Sequence, residues 1–230
     1  MDMTTGSTWK LLLSFAVPLL IGNLFQQLYN TVDAVIVGRF VGKEALSCVS
    51  GSSGQIINLA VGFFTGLSAG ATVMISQHFG AKNEEQLHKA LHTAYAFAIT
   101  GGIIAGVIGV VMTRMVLKWM NTPENLLPDS TLYVRIYFAG LLFIFVYNMG
   151  AAILRAIGDS KRPLYFLIIC CIVNIILDLV LVLGFKMGVL GVAVATLIAQ
   201  GISAVLVSVA LMYHTCLLYT SDAADDSLRV

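Results

Sequence analysis

The chain of 230 residues is 58% hydrophobic and only 11% charged, and its mean hydropathy is +0.91. Because soluble domains carry roughly 25% charged residues, this composition excludes a soluble globular protein and is typical of a helical membrane protein with several spans. The formal net charge is +1 and no basic stripe runs along the chain, which excludes a nucleic acid as partner.

Six apolar stretches are each long enough for a membrane-spanning helix, which needs roughly 20 residues. They follow a polar N-terminal segment, 1–9, and predict an all-α integral membrane fold for 10–213. The acidic stretch 221–230 has no apolar period, and we interpret 214–230 as a disordered tail or as foreign sequence at a truncated end. The predicted spans are 10–37, one within 45–80, 87–117, 131–157, 163–185, and one from 187 or 189 to 213.

The connections between these spans carry signals for helix ends. Asn83 is a predicted N-cap, with Gln86 at the capping-box position three residues later. Gly158 is a predicted helix stop, and Pro163 is a predicted helix start. Six spans put both termini on the same side of the membrane. The basic residues of the connections divide evenly between the two sides, so the positive-inside rule does not give the orientation.

Glycines recur at helix-packing spacing in two of the spans. Gly62, Gly66 and Gly70 are four residues apart in the second span, and Gly102 and Gly106 are four apart in the third. Such ridges let neighbouring helices approach closely in lipid. We therefore expect both ridges to pack against other helices, and a sliding surface for a conformational change is the functional alternative.

Two carboxylates lie deep within the apolar stretches. Asp178 is in the fifth predicted span, with Asn174 four residues before it on the same helical face. Asp33 lies late in the first span, with Tyr29 four residues before it. An acid at the bilayer centre costs about 2.5–3.5 kcal/mol, so each is expected to face a partner or a water-filled cavity. Ion or proton coupling is the leading interpretation of such acids.

The first and sixth spans contribute further features to this hypothesis. Pro18 lies inside the first span, where a missing backbone donor bends a helix. Thr196 and Gln200 are four residues apart in the sixth span, although a threonine there can also bond its own backbone. The short connection between the fifth and sixth spans makes them neighbours. The periodicity alone does not place the first span beside them.

The chemistry available to converging acids is limited. Two carboxylates close together in a low dielectric do not both stay charged, so one takes a proton or a cation lies between them. Carboxylate, amide and hydroxyl oxygens suit a hard ion such as sodium. The sequence therefore predicts a site for a proton or a sodium ion and no other cofactor. A purely structural polar cluster is the alternative.

Metal chemistry is not indicated elsewhere in the chain. His88 and His92 are four residues apart, but the sequence offers them no evident third ligand. The cysteines have no metal-ligand spacing and are expected to be inert: Cys48, Cys170, Cys171 and Cys216. An enzyme is not predicted, because neither a nucleophile–base pair nor a cluster of metal ligands is evident.

Two segments together carry a specific family resemblance: FAVPLLIGNLFQQLYNTVDAVIVGRFVG at 15–42, and ILRAIGDSKRPLYFLIICCIVNIILDLVLVLGFKMGVLGVAVATLIAQ at 153–200. They closely resemble the multidrug and toxic compound extrusion (MATE) transporters, and the similarity extends to about Tyr213. The resemblance implies twelve helices in two six-helix lobes, related by a pseudo-two-fold axis along the membrane normal. This chain looks like the N-terminal lobe, which makes the missing C-terminal lobe a partner.

The resemblance also implies roles for individual residues. The first, fifth and sixth spans are expected to pack together. The proline whose bending accompanies transport matches Pro18, and Val192 stands where some members have a small residue that contributes to the site. The implied cation or proton site consists of Asp33, Asn174, Asp178, Thr196 and Tyr29.

The function that the resemblance implies is antiport. Such proteins export organic, often cationic, drugs or metabolites by alternating access, against an inward flow of protons or sodium. The expected location is the cell membrane, with many spans in the lipid bilayer and both termini in the cytoplasm. A lipid-linked saccharide flippase of the same wider superfamily is one alternative, disfavoured because the spans hold acids and few cations for a phosphate. A non-transporting fragment is another alternative.

Overall fold

Eight α-helices and two short π-helical segments make up residues 8–227, the part of the chain that the computed structural model describes. Within that part, side chains are described for Trp9, Leu13 and residues 16–213. The helices are α1 (Thr8–Ile36), α2 (Lys43–Ser50), α3 (Ser52–Gly80), α4 (Glu84–Trp119), α5 (Leu127–Ala139), α6 (Leu141–Ala156), α7 (Lys161–Asp178) and α8 (Val189–Ser227).

The multi-span helical fold predicted from the sequence is confirmed. Four stretches with described side chains are long and apolar enough to cross a membrane: Lys43–Gly80, Glu84–Trp119, Lys161–Gly184 and Val189–Tyr213. The pair α5 and α6 makes a fifth span when it is taken as one bent unit. Helix α1 is 29 residues long, which is also a spanning length, although some of its side chains lie outside the described set.

The fourth predicted span, 131–157, corresponds to two helices, α5 and α6. It is bent by 45° between α5 and α6. Gly140 occupies the bend, and its N–H is shared between the Ile136 and Tyr137 carbonyls, each 3.1 Å away. A Cβ at this position would come within 2.6 Å of Leu197 Cδ1, so a side chain of α8 packs directly against the bend. Hydropathy does not report a bend, because it depends on the composition of a segment and not on the direction of its axis.

The other spans also depart from regular α-helix. The second span is divided at Gly51, whose N–H bonds the Ser47 carbonyl and ends α2. The first π-segment, Val37–Val41, continues α1, and the second, Leu179–Gly184, continues α7. Gly42 ends the first π-segment with a φ of 124°, a conformation that favours glycine. Each π-segment begins within four residues of one of the two buried acids, and such segments are frequent at functional sites.

Local capping explains two helix starts. Asn83 is the N-cap of α4, and its side chain accepts a hydrogen bond of 3.2 Å from the Gln86 N–H, which confirms the predicted start. Helix α7 begins at Lys161, two residues before the predicted Pro163. The reason is Asp159, whose Oδ1 accepts from the Lys161 N–H at 3.2 Å and so caps the first turn.

The helices pack around α6, which contacts α3, α4 and α8. Helix α1 packs against α7, and α7 packs against α8, as the family resemblance implied. An apolar cluster fills the space between α3, α4 and α6, where the Phe64 and Phe145 rings lie 4.3 Å apart. A second cluster, here called the end cluster, joins the two π-segments to α5 and α8 and includes Ile36, Val37, Val182, Val189 and Val192.

The two glycine ridges behave differently. A Cβ on Gly102 would lie 2.8 Å from Leu142 Cα, and one on Gly106 would lie 2.9 Å from the Phe138 carbonyl oxygen. The ridge of α4 is therefore packed, as predicted. The expectation for α3 is wrong within this lobe, because a Cβ on Gly62, Gly66 or Gly70 would meet no atom within 4 Å.

The predicted terminal segments, 1–9 and 214–230, are only partly described by the structure. The backbone of α8 continues as helix to Ser227 and so enters segment 214–230, for which the sequence predicted a disordered or foreign tail. The side chains of that segment lie outside the described residues, as does most of the segment 1–9. The division into 1–9, 10–213 and 214–230 stays a prediction.

Candidate functional site

The two intramembrane acids come together inside the lobe. Asp33 is in the last turn of α1, and Asp178 is the last residue of α7, the helix against which α1 packs. Asp33 is 8% exposed and Asp178 is 0% exposed. The sequence could predict each acid separately, but only the packing of α1 on α7 brings them to one point.

Asn174 joins the two carboxylates. Its amide takes the orientation in which nitrogen faces both acids, because in the opposite orientation the amide oxygen would face acceptors only. The Asn174 Nδ2 then donates to Asp33 Oδ1 at 2.8 Å and to Asp178 Oδ2 at 3.2 Å. One buried amide thus holds an oxygen of each acid within hydrogen-bond distance of a single nitrogen.

A second contact ties α1 to α8. The Tyr29 hydroxyl donates to Thr196 Oγ1 at 3.3 Å, and both side chains are buried. Tyr29 lies one helical turn before Asp33, so this bond and the acid pair are on the same face of α1. The structure therefore brings together all five residues of the predicted site: Asp33, Asn174, Asp178, Thr196 and Tyr29.

The arrangement leaves one acceptor without a partner. Asp178 Oδ1 is buried and has no hydrogen-bond partner among the residues that the structure describes. A bare acceptor in a dry interior is costly, and a proton or a cation at this atom would remove that cost. Asp33, Asp178 and Thr196 supply oxygens that suit sodium. Asn174 presents nitrogen, so its amide would have to turn over before its oxygen joined such a ligand set.

A cavity of about 750 Å³ lies beside the acid pair. Its wall includes Asp33, Tyr29 and Thr196, but neither Asn174 nor Asp178. Amide side chains form much of the remaining wall, among them Asn23, Gln26, Asn30, Asn58, Asn148 and Gln200. The described cavity wall is therefore a mixture of polar and apolar side chains, and Asp33 supplies its carboxylate.

Apart from Tyr29, the tyrosines of this wall were not identified from the sequence. Tyr133 and Tyr137 of α5 line the cavity, and their ring centroids are 6.5 Å apart. Tyr147 of α6 also lines it and donates to the Pro163 carbonyl at 3.2 Å. The i, i+4 spacing of Tyr133 and Tyr137 is the signal that could have found them, although tyrosines at that spacing are equally common in membrane cores.

Three other residues singled out from the sequence lie outside the group of five. Pro18 is inside α1, fifteen residues before Asp33, which is about 22 Å along the helix axis. Gln200 is in the cavity wall, one turn beyond Thr196. Val192, which replaces a small residue, is fully buried in the end cluster.

The histidines and cysteines occupy separate places. The rings of His88 and His92 lie 5.0 Å apart near the start of α4. Among the described residues, no three His, Cys, Asp or Glu side chains are grouped so that they could hold a metal ion. Cys170 and Cys171 line the cavity, and Cys170 Sγ donates to the Ala199 carbonyl at 3.4 Å.

The profile of the MatE family matches residues 18–180, a range that contains both acids, Asn174 and the proline of α1. The chain belongs to the MatE family. This is the multidrug and toxic compound extrusion family that the two sequence segments resemble.

Similar MatE proteins carry names that refer to drugs. The chain is 39% identical over 197 residues to the probable multidrug resistance protein YoeA of Bacillus subtilis, covering 84% of this chain and 42% of that protein. It is 32% identical to the probable multidrug resistance protein YpnP of the same organism, over 88% of this chain and 45% of that protein. The multidrug export protein MepA of Staphylococcus saprophyticus is 25% identical over 85% of this chain. The chain spans about half the length of these relatives.

Solved MatE structures share the fold. A MATE transporter in complex with MaD3S superposes with a TM-score of 0.83, covering 88% of this chain and 45% of that one at 24% identity. MATE structures described as the straight and the bent conformation give TM-scores of 0.82 and 0.80. The chain therefore has the fold of one lobe of a twelve-helix MATE transporter. Members of this family are multi-pass membrane transporters and not enzymes.

Proposed function

We propose that this chain is the N-terminal lobe of a cation-coupled antiporter that exports organic compounds by alternating access. Protons or sodium ions move inward through the site at Asp33, Asn174 and Asp178, and Tyr29 and Thr196 complete it. The exported compounds are drugs or metabolites, often cationic. The names of the Bacillus and Staphylococcus relatives support the drug-export part of this proposal.

The observation that carries the coupling is the buried acid pair. Two carboxylates meet at one amide inside a membrane lobe, and Asp178 Oδ1 has no partner within the described residues. A structural cluster would satisfy its acceptors, because each unsatisfied one lowers stability. If the pair exchanges a proton or a cation during transport, the unsatisfied acceptor is the state of the pair after release.

The cavity supports the choice of substrate class. Among the residues with described side chains, its lining contains the Asp33 carboxylate and no lysine or arginine. The Tyr29, Tyr133 and Tyr137 side chains add aromatic surface to this lining. An organic cation is attracted to a carboxylate and to aromatic faces, whereas the phosphate of a lipid-linked saccharide needs cations. The lining therefore favours drug or metabolite export over the flippase alternative.

Alternating access requires a helix that changes shape when the site is loaded. Helix α1 carries Tyr29 and Asp33, and Pro18 interrupts its backbone hydrogen bonding. Loading of the acid pair changes the contacts of α1 with α7 and α8, and bending at Pro18 then changes the cavity. This is a population shift driven by different ion affinities in the two states.

The proposed setting is the cell membrane, with both termini in the cytoplasm. The C-terminal lobe would close the open side of the cavity and supply its second wall. The chain covers about half of its relatives, so transport is expected from a protein that contains both lobes and not from residues 10–213 alone.

Export in everted membrane vesicles tests this proposal. We would express the protein from its full reading frame and follow ethidium transport under a proton gradient alone and a sodium gradient alone. The Asp178→Asn variant is expected to lose gradient-driven transport at an unchanged protein level, because the exchanging carboxylate is gone. The gradient that drives the unmodified protein identifies the ion.

The matched control is Glu124→Gln, which removes an exposed acid in the connection between α4 and α5. This variant should transport at the unmodified rate. Gradient-driven export that survives in Asp178→Asn would show that Asp178 is structural and would contradict coupling at this pair.

A further inference from the structure

The two acids of the site differ in how they can be reached. Asp33 forms part of the cavity wall, whereas Asp178 does not line the cavity and is 0% exposed. Helix α7 lines the cavity as far as Cys171. Asp178 lies two turns further along this helix, about 10 Å from Cys171 along the axis.

Buried valines of the end cluster follow both acids along the chain, on the side of Asp178 away from Cys171. Val37 lies one turn after Asp33, and Val182 lies one turn after Asp178, so each valine continues the face that carries its acid. Val37 is fully buried and Val182 is 6% exposed. A hydrated ion or a water-soluble reagent therefore has to approach Asp178 from the cavity side.

Asn174 occupies that approach. It lies on α7 between Cys171, the last cavity-lining residue of the helix, and Asp178. Its side chain is 0% exposed, and its Nδ2 is hydrogen-bonded to both carboxylates. No other described side chain contacts both acids through a hydrogen bond.

We propose that the Asn174 side chain closes the path from the cavity to Asp178, so that the two acids are loaded in a fixed order, Asp33 first. This inference rests on the proposed coupling function for its meaning in transport. Asn174 is a positioning residue in this scheme, because it controls which acid a proton or cation meets.

The hydrogen bonds of Asn174 give the order a physical cause. An amide donates more strongly to a charged carboxylate than to a neutral or cation-bound carboxyl group. Loading Asp33 therefore weakens one of the two bonds that hold the Asn174 amide. The amide is then freer to move, and Asp178 becomes accessible.

Carboxyl labelling of the purified chain in lipid nanodiscs tests the closure without any transport. A water-soluble carbodiimide activates an accessible carboxyl group, and the amine of glycinamide displaces the resulting urea to leave an amide. Peptide mass spectrometry at low conversion, before a chain carries two labels, then gives the initial labelling rate of each acid. If the path is open in about 10% of molecules or fewer, the reagent reaches Asp178 only in that fraction. Asp178 should then be labelled at least about tenfold more slowly than Asp33.

Two substitutions at one position distinguish closure from a general loss of structure. Asn174→Ala removes the obstructing side chain and should raise labelling of Asp178 to within about threefold of Asp33. Asn174→Leu keeps the bulk without the hydrogen bonds and should leave Asp178 protected. The control Ile176→Ala truncates a lipid-exposed side chain of the same helix and should leave both rates unchanged.

The proposal is overturned if Asp33 is not labelled, if Asp178 is labelled as fast as Asp33 in the unmodified chain, or if Asp178 stays protected in Asn174→Ala. It is also overturned if Asn174→Leu exposes Asp178 as fully as Asn174→Ala does. A failure of gradient-driven export would contradict the coupling function and would leave the labelling pattern unchanged, so the two failures are distinguishable.

Discussion

Single hydrogen bonds between helices connect the parts of this site. The Tyr29 hydroxyl links α1 to α8 through Thr196, and the Asn174 amide links α7 to Asp33 of α1. In a lobe held mainly by apolar packing, such bonds fix the register of helices that could otherwise slide. Each is therefore expected to contribute measurably to stability as well as to position the acids.

Removal of the Tyr29 hydroxyl should destabilise the lobe modestly. Tyr29→Phe deletes the bond to Thr196 and leaves a buried threonine hydroxyl, at a cost of about 1 kcal/mol. For a chain of this size, that corresponds to a midpoint of thermal unfolding lower by roughly 2–4 °C. Thermal unfolding of the purified chain in detergent measures the shift.

The matched control is Tyr165→Phe, which removes the same hydroxyl from a side chain that is 58% exposed on α7. This variant should unfold within about 1 °C of the unmodified chain, since exposed substitutions have small effects. Equal shifts in the two variants would show that the bond between Tyr29 and Thr196 contributes nothing specific.

At the scale of the helices, α4 differs from α3 in how closely a neighbouring helix approaches its glycines. Both carry glycines four residues apart, but only the ridge of α4 touches a neighbour in the lobe. The α4 ridge meets the bent span near Leu142 and Phe138, where backbone atoms leave no room for a methyl group. Identical sequence spacing thus corresponds to two different environments, which the sequence alone could not separate.

A pair of alanine substitutions tests this difference. Gly102→Ala places a Cβ 2.8 Å from Leu142 Cα, a backbone atom that cannot give way locally. It should destabilise the lobe by about 1–3 kcal/mol through overpacking. Gly66→Ala meets nothing within 4 Å and should be neutral or stabilising by up to about 1 kcal/mol, because alanine is the better helix former.

The thermal unfolding midpoints of the two variants measure these changes in stability. A lower midpoint for Gly66→Ala, or an unchanged one for Gly102→Ala, would mean that the helices do not pack as described.

At the scale of the whole lobe, two kinds of surface are exposed. One is apolar and is typical of a lipid-facing surface, with Val111 of α4 71% exposed and Ile104 60% exposed. The other is the cavity wall, where Asn30, Gln26 and Asn58 are exposed amides. Amides at membrane depth are expected to face water or protein, because lipid offers them no hydrogen bonds.

Cysteine accessibility distinguishes these surfaces. Asn30→Cys should react with a charged, membrane-impermeant maleimide, because the reactive thiolate forms in a water-filled cavity. Val111→Cys should react more slowly by about tenfold or more, because a thiol in lipid neither ionises nor meets the reagent. Mass spectrometry of the labelled peptides separates both sites from the native cysteines. Similar rates at the two positions would contradict a hydrated cavity on the α1 side.

The composition and the six apolar stretches were sufficient to predict the helical membrane fold. The spacing of Asn174 and Asp178 identified two of the five residues of the candidate site. The adjacency of Asp33 to that pair is a tertiary contact, and the prediction of it came from the family resemblance. The bend at Gly140 and the two π-segments leave hydropathy unchanged and were not predicted. Tyr133 and Tyr137 were missed because a tyrosine in a span has the same pattern whether it lines a cavity or packs in a core.

The placement of the ion pairs has a consequence for solution experiments. Lys89 and Glu85 form an ion pair at 2.6 Å, and their side chains are 62% and 76% exposed. Arg162 of α7 forms a second ion pair with Asp159, which lies in the turn before that helix. Exposed pairs of this kind contribute about 0–1 kcal/mol each and are weakened by added electrolyte. Electrolyte screening should therefore alter the stability of the lobe very little. A thermal shift that appears with sodium chloride and not with choline chloride at equal ionic strength would then report binding of the ion itself.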